Sequence, residues 1–352
     1  MSELKIARVD VFRVDLPYVG KVYRLSGGRE YTSFDATIVR ITTQNGIEGW
    51  GESTPFGSTW VASHALGVRA GIAEIAPKLI GLDPRRVDRV NEVMDAALVG
   101  HEHAKTAMDV ACWDIFGKWA GLPVCELLGG RTGIQLPLIS SIPVDEPEVM
   151  RQHVAKFRAK GYLGHSVKLD GVPKKDAERI AASLADKEPG EFFIVDANGG
   201  LTVETALRTL RTPFARRRTN VPIFFDELAT DGASIAKLIA DDAAEGIDLK
   251  ISKAGGLTRA RRQRDICLAA GYTIGVQDTV GSDIVFAAIV HMAQTIPERH
   301  LRCILESRDM VTLKVADGDY QVHNGRITAP TTPGLGITPR LDVLGEAVAT
   351  YT

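Results

Sequence analysis

Short apolar runs that each end in a charged residue recur at nearly constant intervals from residue 134 onward. After an opening run QLPLISS at residues 135–141, six such runs end at Lys168, Asp196, Asp226, Lys250, Asp278 and Glu306. Successive members of this set are 28, 30, 24, 28 and 28 residues apart. Apolar runs of this kind, separated by helical patterns, are typical of buried parallel strands that alternate with helices. The pattern predicts an α/β fold built on a parallel β/α-barrel.

The charged residues all fall at the carboxyl ends of the predicted strands. In parallel barrels these ends meet at one face, and barrel enzymes build their active sites there. Six charged residues in the same register therefore predict a shared functional site. Any one of them, taken alone, could equally cap the following helix or end its strand, and this alternative stays open for each.

The first 130 residues follow a different pattern. Residues 5–16 and 36–43 alternate apolar and polar side chains, and Asn45-Gly46 supplies a turn. Residues 62–80 and 104–120 have helical spacing of their apolar residues. Strands followed by helices predict a small antiparallel sheet with helices, an α+β module. The tail, residues 326–352, is rich in Pro and Gly and is predicted to return to this module.

Composition restricts the class of partner. A formal charge of -2 over 352 residues gives no field that would gather nucleic acid or anionic lipid. No apolar run approaches the roughly 18 residues of a membrane span, and the N-terminus lacks the pattern of a signal peptide. We expect a cytoplasmic homo-oligomer with a small-molecule ligand. The cysteines have no short Cys-x-x-Cys spacing, which favours buried free thiols at Cys112, Cys125, Cys267 and Cys303.

Several motifs closely resemble those of the mandelate racemase and muconate lactonizing enzyme branch of the enolase superfamily. They are GWGE at 49–52, AMDVACWDIFGK at 107–118, GLPV at 121–124, LLGG at 127–130 and PGLGI at 333–337. Together they extend over nearly the whole chain. The resemblance implies an α+β capping domain at residues 1–130, a β/α (TIM-like) barrel at 131–330, and a C-terminal segment at 331–352 that returns to the cap.

The same resemblance implies Mg²⁺-dependent removal of the proton next to a carboxylate. Such a proton is weakly acidic, so its removal needs a cation that stabilises the enediolate and a base whose pKa is brought toward neutrality. Asp196 and Asp226 match two of the family's metal ligands, and carboxylates are ligands that Mg²⁺ prefers. Lys168 and Lys250 match lysines that face the two sides of the α-carbon, where burial should disfavour their charged forms. Ordinary solvation of strand ends is the alternative for all four.

Within the branch, SGG at 26–28, SHALG at 63–67 and MDAAL at 94–98 look most like cis-3-hydroxyproline dehydratases and hydroxyproline-betaine epimerases. This resemblance implies dehydration or 2-epimerisation of a proline derivative such as cis-3-hydroxy-L-proline. The residues expected to bind substrate are Trp60, Ser166, Asn198, Asp278 and Glu306. Salt bridges at the barrel mouth are the alternative for the two acids, and plain packing is the alternative for Trp60.

Two departures from the family pattern stand out. The Lys-x-Lys of the second strand reads Ser166-Val167-Lys168, so the first lysine, which would lower the pKa of its neighbour, is absent. Between Asp196 and Asp226 there is room for one strand–helix unit where the family has two, and the glutamate that is its middle metal ligand is missing. Residues 203–220 look instead like one helix and a basic turn.

By this count the barrel has seven strands, whereas closure of this fold uses eight. Either this sequence omits a segment of roughly 18 residues that the protein has, or the chain has a real deletion and a damaged metal site; we favour the omission. Two further hypotheses stay open. The substrate could be another acid, such as a sugar acid, a dipeptide or muconate, acted on by a racemase, dehydratase or cycloisomerase. The chain could also be a non-catalytic relative that only binds a ligand.

Overall fold

The computed structural model describes residues 4–201 and 222–352. Its N-terminal part is built on an antiparallel sheet in the order β16-β1-β4-β5, in which the last strand of the chain pairs with the first. The strands of this part are β1 (Ile6–Pro17), β2 (Tyr23–Leu25), β3 (Arg29–Tyr31), β4 (Ser33–Thr43), β5 (Glu48–Ser53) and β16 (Ala349–Tyr351). Both predicted N-terminal strands are confirmed, and Asn45-Gly46 lies in the connection between β4 and β5.

Four helices follow this sheet, namely α1 (Ala65–Leu79), α2 (Val87–Ala97), α3 (Glu102–Ala120) and α4 (Val124–Leu127). Helix α3 lies directly against β5, and almost all of its side chains are buried. Two glycines of β5 make this approach possible, because a Cβ at Gly49 or Gly51 would overlap the carbonyl oxygen of Ala111 or Ala107. The GWGE motif thus serves close packing of a strand on a helix.

Seven strands of the second part run parallel to one another. They are β6 (Leu136–Ile142), β7 (Gly164–Lys168), β8 (Phe192–Asp196), β9 (Phe224–Phe225), β10 (Gly246–Lys250), β11 (Thr273–Gln277) and β12 (Leu301–Leu305). Each coincides with one of the apolar runs, so the prediction of parallel strands is confirmed. Side chains alternate between the lumen and the surrounding helices, as the pleat requires.

The connecting helices are α5 (Pro147–Ala159), α6 (Pro173–Leu184), α7 (Gly232–Ala240), α8 (Ile251–Ala254), α9 (Leu257–Ala269) and α10 (Asp283–Ala293), with α11 (Leu341–Leu344) in the tail. Single 3₁₀ turns occur at Ser26–Gly28, Glu298–His300 and Ser307–Met310. Short strands complete the tail, namely β13 (Ala316–Gly318), β14 (Arg326–Ile327) and β15 (Ile337–Pro339). None of the helices in the described ranges is both long and apolar enough to cross a bilayer.

The parallel strands follow the order β8-β7-β6-β12-β11-β10-β9, so β8 and β9 are the two ends of the curled sheet in the described ranges. These end strands are also less buried than the strands between them, and Val195 of β8 is 45% exposed. The predicted helix and basic turn over 203–220 lie outside the described residues. The four cysteines are free and buried, as predicted.

Candidate active site

Strand ends bring a lysine and an aspartate together on one side of the barrel mouth. Lys168 is the last residue of β7 and Asp196 the last residue of β8, and the two stand opposite each other in the parallel register. The Lys168 ammonium lies 2.5 Å from the Asp196 carboxylate. The adjacency of the two strands thus fixes this ion pair.

A second pair forms across the mouth. Lys250, the last residue of β10, lies 2.5 Å from the carboxylate of Asp226, which directly follows β9. One helical turn later, Lys253 lies 2.6 Å from the other carboxylate oxygen of Asp226 and also donates to the Asp226 carbonyl. Two ammonium groups therefore hold Asp226 from both sides.

These ion pairs decide the protonation state of the lysines. Burial by itself would lower the pKa of Lys168 and of Lys250, but the attraction of Asp196 and Asp226 outweighs it and raises both pKa values. Burial would likewise raise the pKa of Asp226, yet Lys250 and Lys253 lower it. In this arrangement each lysine has a carboxylate partner at contact distance, which favours its charged form. The expectation that a lysine beside a bound cation has its charged form disfavoured stays a prediction.

Both lysines line one small cavity of about 20 Å³, roughly the room that one water needs. Of the residues predicted to bind substrate, Trp60, Ser166 and Asp278 line it too. The other lining residues are Tyr23, Leu25, Phe56, Ser141, Gln277, Thr279, Leu305 and Met310. The cavity thus lies between the barrel mouth and two N-terminal segments, one around Tyr23 and one around Trp60.

Trp60 connects the N-terminal part to the barrel. Its ring lies 4.4 Å from the Lys250 ammonium, an attractive cation–π contact. Its indole N–H donates to Glu227, the residue after Asp226, at 3.0 Å. The same ring packs edge-on against Phe56, with centroids 5.2 Å apart. Trp60 therefore covers the Lys250 side of the cavity.

Asp278 follows β11 and is fully enclosed. It accepts hydrogen bonds from the backbone N–H and hydroxyl of Ser252 and from the backbone N–H of Thr279. Burial raises the pKa of Asp278 to about 6 in spite of these donors. Asp278 is therefore a buried acid that lines the cavity near Lys250, and not a surface residue.

Asn198 lies next to the cavity wall without lining it. It adopts a left-handed backbone conformation (φ 45°), and its backbone and side-chain N–H groups both donate to the Asp196 carboxylate. Its buried Oδ1 has no hydrogen-bond partner among the described residues. The N-terminal part contacts this turn directly, because Ser26 donates to the Ala197 carbonyl and Arg29 to the Asn198 carbonyl.

Glu306 is the one predicted site residue that the structure puts elsewhere. Both of its carboxylate oxygens accept hydrogen bonds of 2.7 Å from the Arg308 guanidinium. Burial raises the pKa of Glu306, with Arg308 opposing the shift. It lines a separate cavity of about 460 Å³ with Tyr162 and Asp309. Although Glu306 directly follows a strand, its carboxylate turns away from the barrel mouth because the Arg308 guanidinium, two residues later, binds it.

Several residues of the site escaped the sequence reasoning. Lys253 lies in the same motif as Lys250, three residues later. This spacing could have indicated a second ammonium about one helical turn from the first. Asp248 precedes Lys250 by two and so shares its side of the strand. Tyr23 and Ser141 gave no such signal, because only the fold brings them to the cavity.

A divalent cation such as Mg²⁺ needs several oxygen ligands that lie close together. In the described ranges no three His, Cys, Asp or Glu side chains group closely enough to hold a metal. Asp196 and Asp226 nevertheless supply carboxylates from two strand ends, and Asn198 adds a buried carbonyl oxygen with no other partner. Mg²⁺ is commonly held by one or two carboxylates while keeping several waters. In the described ranges these oxygens are single donors, with both carboxylates paired to lysines, and do not form an assembled metal site.

Comparison with known proteins agrees with this geometry. Residues 30–129 match the family described as mandelate racemase / muconate lactonizing enzyme, N-terminal domain, and residues 214–343 match the family described as enolase C-terminal domain-like. The cis-3-hydroxy-L-proline dehydratase of Roseibium aggregatum is 39% identical over 367 aligned positions, covering 99% of this chain and all of the relative. The N-succinyl-L-Arg/Lys racemase of Bacillus cereus is 27% identical, covering 97% of this chain and 98% of the relative.

Solved structures give the same result. A protein from Aspergillus oryzae, attributed to the mandelate racemase/muconate lactonizing enzymes, is 69% identical with a TM-score of 0.92, covering 99% of this chain and all of that one. A similarly attributed protein from Roseovarius nubinhibens, complexed with magnesium, is 48% identical with a TM-score of 0.95 and the same coverage. The relatives with named activities include a dehydratase, a racemase, epimerases, muconate cycloisomerases and an o-succinylbenzoate synthase. The chain therefore belongs to the mandelate racemase/muconate lactonizing enzyme family of the enolase superfamily, a family of enzymes.

Proposed function

We propose that this enzyme removes the α-proton of a small carboxylate in a Mg²⁺-dependent reaction, and that the reaction dehydrates or 2-epimerises a proline derivative such as cis-3-hydroxy-L-proline. The observation that carries the proposal is the shared cavity of Lys168 and Lys250. The two lysines come from β7 and β10, which three other strands separate along the sheet. They therefore approach a bound α-carbon from different sides.

Lys168 and Lys250 act as the acid and base groups. Their pKa values are raised while Asp196 and Asp226 accept their ion pairs. When these carboxylates turn to other positive partners, the lysines lose the interaction that keeps them charged, and burial then favours the neutral amine that can take a proton. Racemisation or epimerisation uses one lysine as base and the other as acid. Elimination needs one base and a proton donor for the leaving group.

Asp196 and Asp226 are the proposed Mg²⁺ ligands, with Asn198 beside them. A divalent cation held there would stabilise the negative charge that develops on the substrate carboxylate. Lys253 fixes the Asp226 carboxylate from the side away from Lys250. The magnesium complex of the relative from Roseovarius nubinhibens supports the choice of Mg²⁺ as the cation.

Substrate contacts are proposed for Trp60, Ser166 and Asp278, which line the cavity, and for Asn198 at its edge. Glu306 has no such support, because Arg308 binds its carboxylate in another cavity. The identity of 39% with a cis-3-hydroxy-L-proline dehydratase supports the choice of substrate class. The proposed domains are the cap at residues 1–130, the barrel at 131–330 and the returning segment at 331–352.

The sheet is proposed to lack one strand–helix unit between β8 and β9. Three observations support this: within the described ranges the parallel path ends at these two strands, both are partly exposed, and closed barrels of this type have eight strands. In addition, the 367 positions aligned with the Roseibium dehydratase exceed the 352 residues of this chain, so at least 15 positions face a gap. We infer that the missing segment would pair with both strands.

The test is exchange of the α-proton in D₂O, followed by NMR on a panel of hydroxyprolines and proline betaines, with and without Mg²⁺. The wild-type chain should incorporate deuterium only with the metal. Lys250→Ala should abolish exchange on the face that Lys250 serves, whereas Lys237→Ala, which removes a surface lysine on α7, should leave exchange intact. Full exchange in the Lys250→Ala variant refutes the assignment.

A further inference from the structure

One wall of the catalytic cavity carries three hydroxyl groups. Ser141 is the next-to-last residue of β6 and stands opposite Ser166 of β7 in the parallel register, so both point into the lumen on the side of Lys168. Tyr23, from the N-terminal part, lies over them, and its hydroxyl is 2.5 Å from the Ser141 hydroxyl. We call Tyr23, Ser141 and Ser166 the hydroxyl wall.

The opposite side of the cavity presents the Lys250 ammonium and the ring of Trp60 in place of hydroxyl groups. The remaining hydroxyl of the lining, that of Thr279, already donates to the Thr54 carbonyl at 2.7 Å. The hydroxyl groups that can still hydrogen-bond a ligand therefore lie on the Lys168 side of the cavity.

Tyr23 is held rigidly in this position. Its side chain is 1% exposed and packs against the rings of Tyr18 and Phe56, with centroids 5.2 and 5.3 Å apart. Ser141 is the only hydrogen-bond partner of its hydroxyl among the described residues. A hydroxyl group takes part in more than one hydrogen bond when space allows, as donor and as acceptor. The Tyr23 hydroxyl thus keeps capacity for a ligand in the cavity.

We propose that the hydroxyl wall binds a substrate hydroxyl on the carbon next to the α-carbon, and that Tyr23 donates a proton to this hydroxyl as it leaves. This inference rests on the proposed α-proton abstraction and deepens it, because it selects dehydration of a β-hydroxy acid. Ser141 and Ser166 hold the hydroxyl, and Tyr23 is the acid.

With Lys168 as the base, its neutral amine takes the α-proton, and the C–H electron pair moves into the carboxylate to form an enediolate. This pair then forms the Cα–Cβ double bond while the Cβ–O bond breaks. The hydroxyl leaves with its bonding pair, takes the Tyr23 proton and becomes water. The ammonium of Lys168 returns a proton to the Tyr23 phenolate, so the enzyme is restored.

The electrostatic surroundings agree with these roles. Burial raises the pKa of Tyr23, which keeps the proton on the phenol until the more basic leaving hydroxyl takes it. The positive charge of Lys168 acts against this shift, because it lies close enough to favour the phenolate. A charged Lys168 therefore stabilises the phenolate at the stage when Tyr23 has given up its proton.

The experiment compares Tyr23→Phe with Tyr31→Phe. Tyr31 packs against the same Phe56 ring, but its hydroxyl bonds to Thr59 outside the cavity, so it controls for the loss of a phenol in the same aromatic cluster. Deuterium exchange at the α-carbon and formation of the unsaturated product are measured separately on a 3-hydroxyproline. In Tyr23→Phe, elimination should fall about 100-fold while exchange persists. Tyr31→Phe should keep the wild-type ratio.

A binding measurement makes the test independent of turnover. By calorimetry, wild type should prefer the 3-hydroxyproline over proline, and Tyr23→Phe or Ser141→Ala should reduce this preference about tenfold. Equal loss of exchange and elimination in Tyr23→Phe, or an unchanged ratio and preference, overturns the role of the hydroxyl wall. Absence of exchange in the wild type instead refutes the proposed function. Exchange without elimination in the wild type refutes only this inference.

Discussion

At the scale of single residues, the sequence predicted which charged groups meet but not how they pair. The strand-end positions of Lys168, Asp196 and Lys250 follow from a regular repeat, and the parallel register brings the first two together. Whether the pKa values of the lysines rise or fall depends on ammonium–carboxylate distances of 2.5 Å, which cannot be inferred from the spacing of residues in the sequence. Glu306 shows the same limit, since its pairing with Arg308 is a matter of side-chain direction.

Asp248 is the residue whose environment was least visible in the sequence. It faces the barrel lumen two residues before Lys250, and its Oδ1 is buried without a hydrogen-bond partner among the described residues. Gly275 of the neighbouring strand leaves room for this oxygen, because a Cβ there would overlap it. Burial, reinforced by the charge of Asp226, raises the pKa of Asp248 to about 7.

This shift predicts a pH dependence of stability. Between the ordinary aspartate pKa of 3.8 and about 7, the folded state binds a proton that the unfolded state does not. Stability should therefore fall as pH rises through this window, by up to about 1.4 kcal/mol per pH unit. Asp248→Asn should flatten the slope of the unfolding free energy between pH 4 and 7, measured by urea denaturation. The exposed control Asp319→Asn should not, and an unchanged slope in Asp248→Asn would contradict the assignment.

At the scale of elements, periodicity was the dependable signal. Each apolar run became a parallel strand because a strand that is buried on both faces must be apolar throughout. Strand β9 is the exception in length, with only Phe224–Phe225 in ladder pairing, and it is one of the two end strands. Within the described ranges β9 pairs with β10 alone, and a strand with one neighbour has less of the pairing that defines its ends, so its bounds were the least predictable.

The contact between β5 and α3 supplies a prediction at this scale. Gly51→Ala should destabilise the protein by about 3 kcal/mol, because the added methyl group overlaps the Ala107 carbonyl and neither the strand nor the buried helix can move away cheaply. Gly133→Ala is the control, since its added Cβ would meet no atom within 4 Å. Urea unfolding of both variants gives the comparison. A loss in Gly51→Ala no larger than in the control would mean that α3 shifts freely.

At the scale of the whole molecule, three hydrogen bonds join the N-terminal part to the strand ends of the barrel. The Trp60 N–H donates to Glu227, and Ser26 and Arg29 donate to the turn after Asp196. The tail is also joined to the N-terminal part, because β16 completes its sheet. The sequence predicted the two parts and the returning tail from composition and pattern. It could not predict which loop residues touch, since loop contacts have no periodicity.

In the described ranges β8 and β9 are the two ends of the parallel sheet, where a further strand would pair. Insertion between these strands of a strand–helix segment of roughly 18 residues, with a glutamate at the end of its strand, should add a strand that pairs with both and contributes one more carboxylate beside Asp196 and Asp226. Each added carboxylate strengthens the hold on a divalent cation, so calorimetry should give tighter Mg²⁺ binding than for the present chain. Because a ligand that binds only the folded state stabilises it by RT ln(1 + [L]/Kd), tighter binding means that Mg²⁺ should also raise the melting temperature more in the extended chain. Insertion of a Gly/Ser segment of equal length controls for loop length, and equal Mg²⁺ affinity in both insertions would show that the seven-stranded sheet already contains the whole metal site.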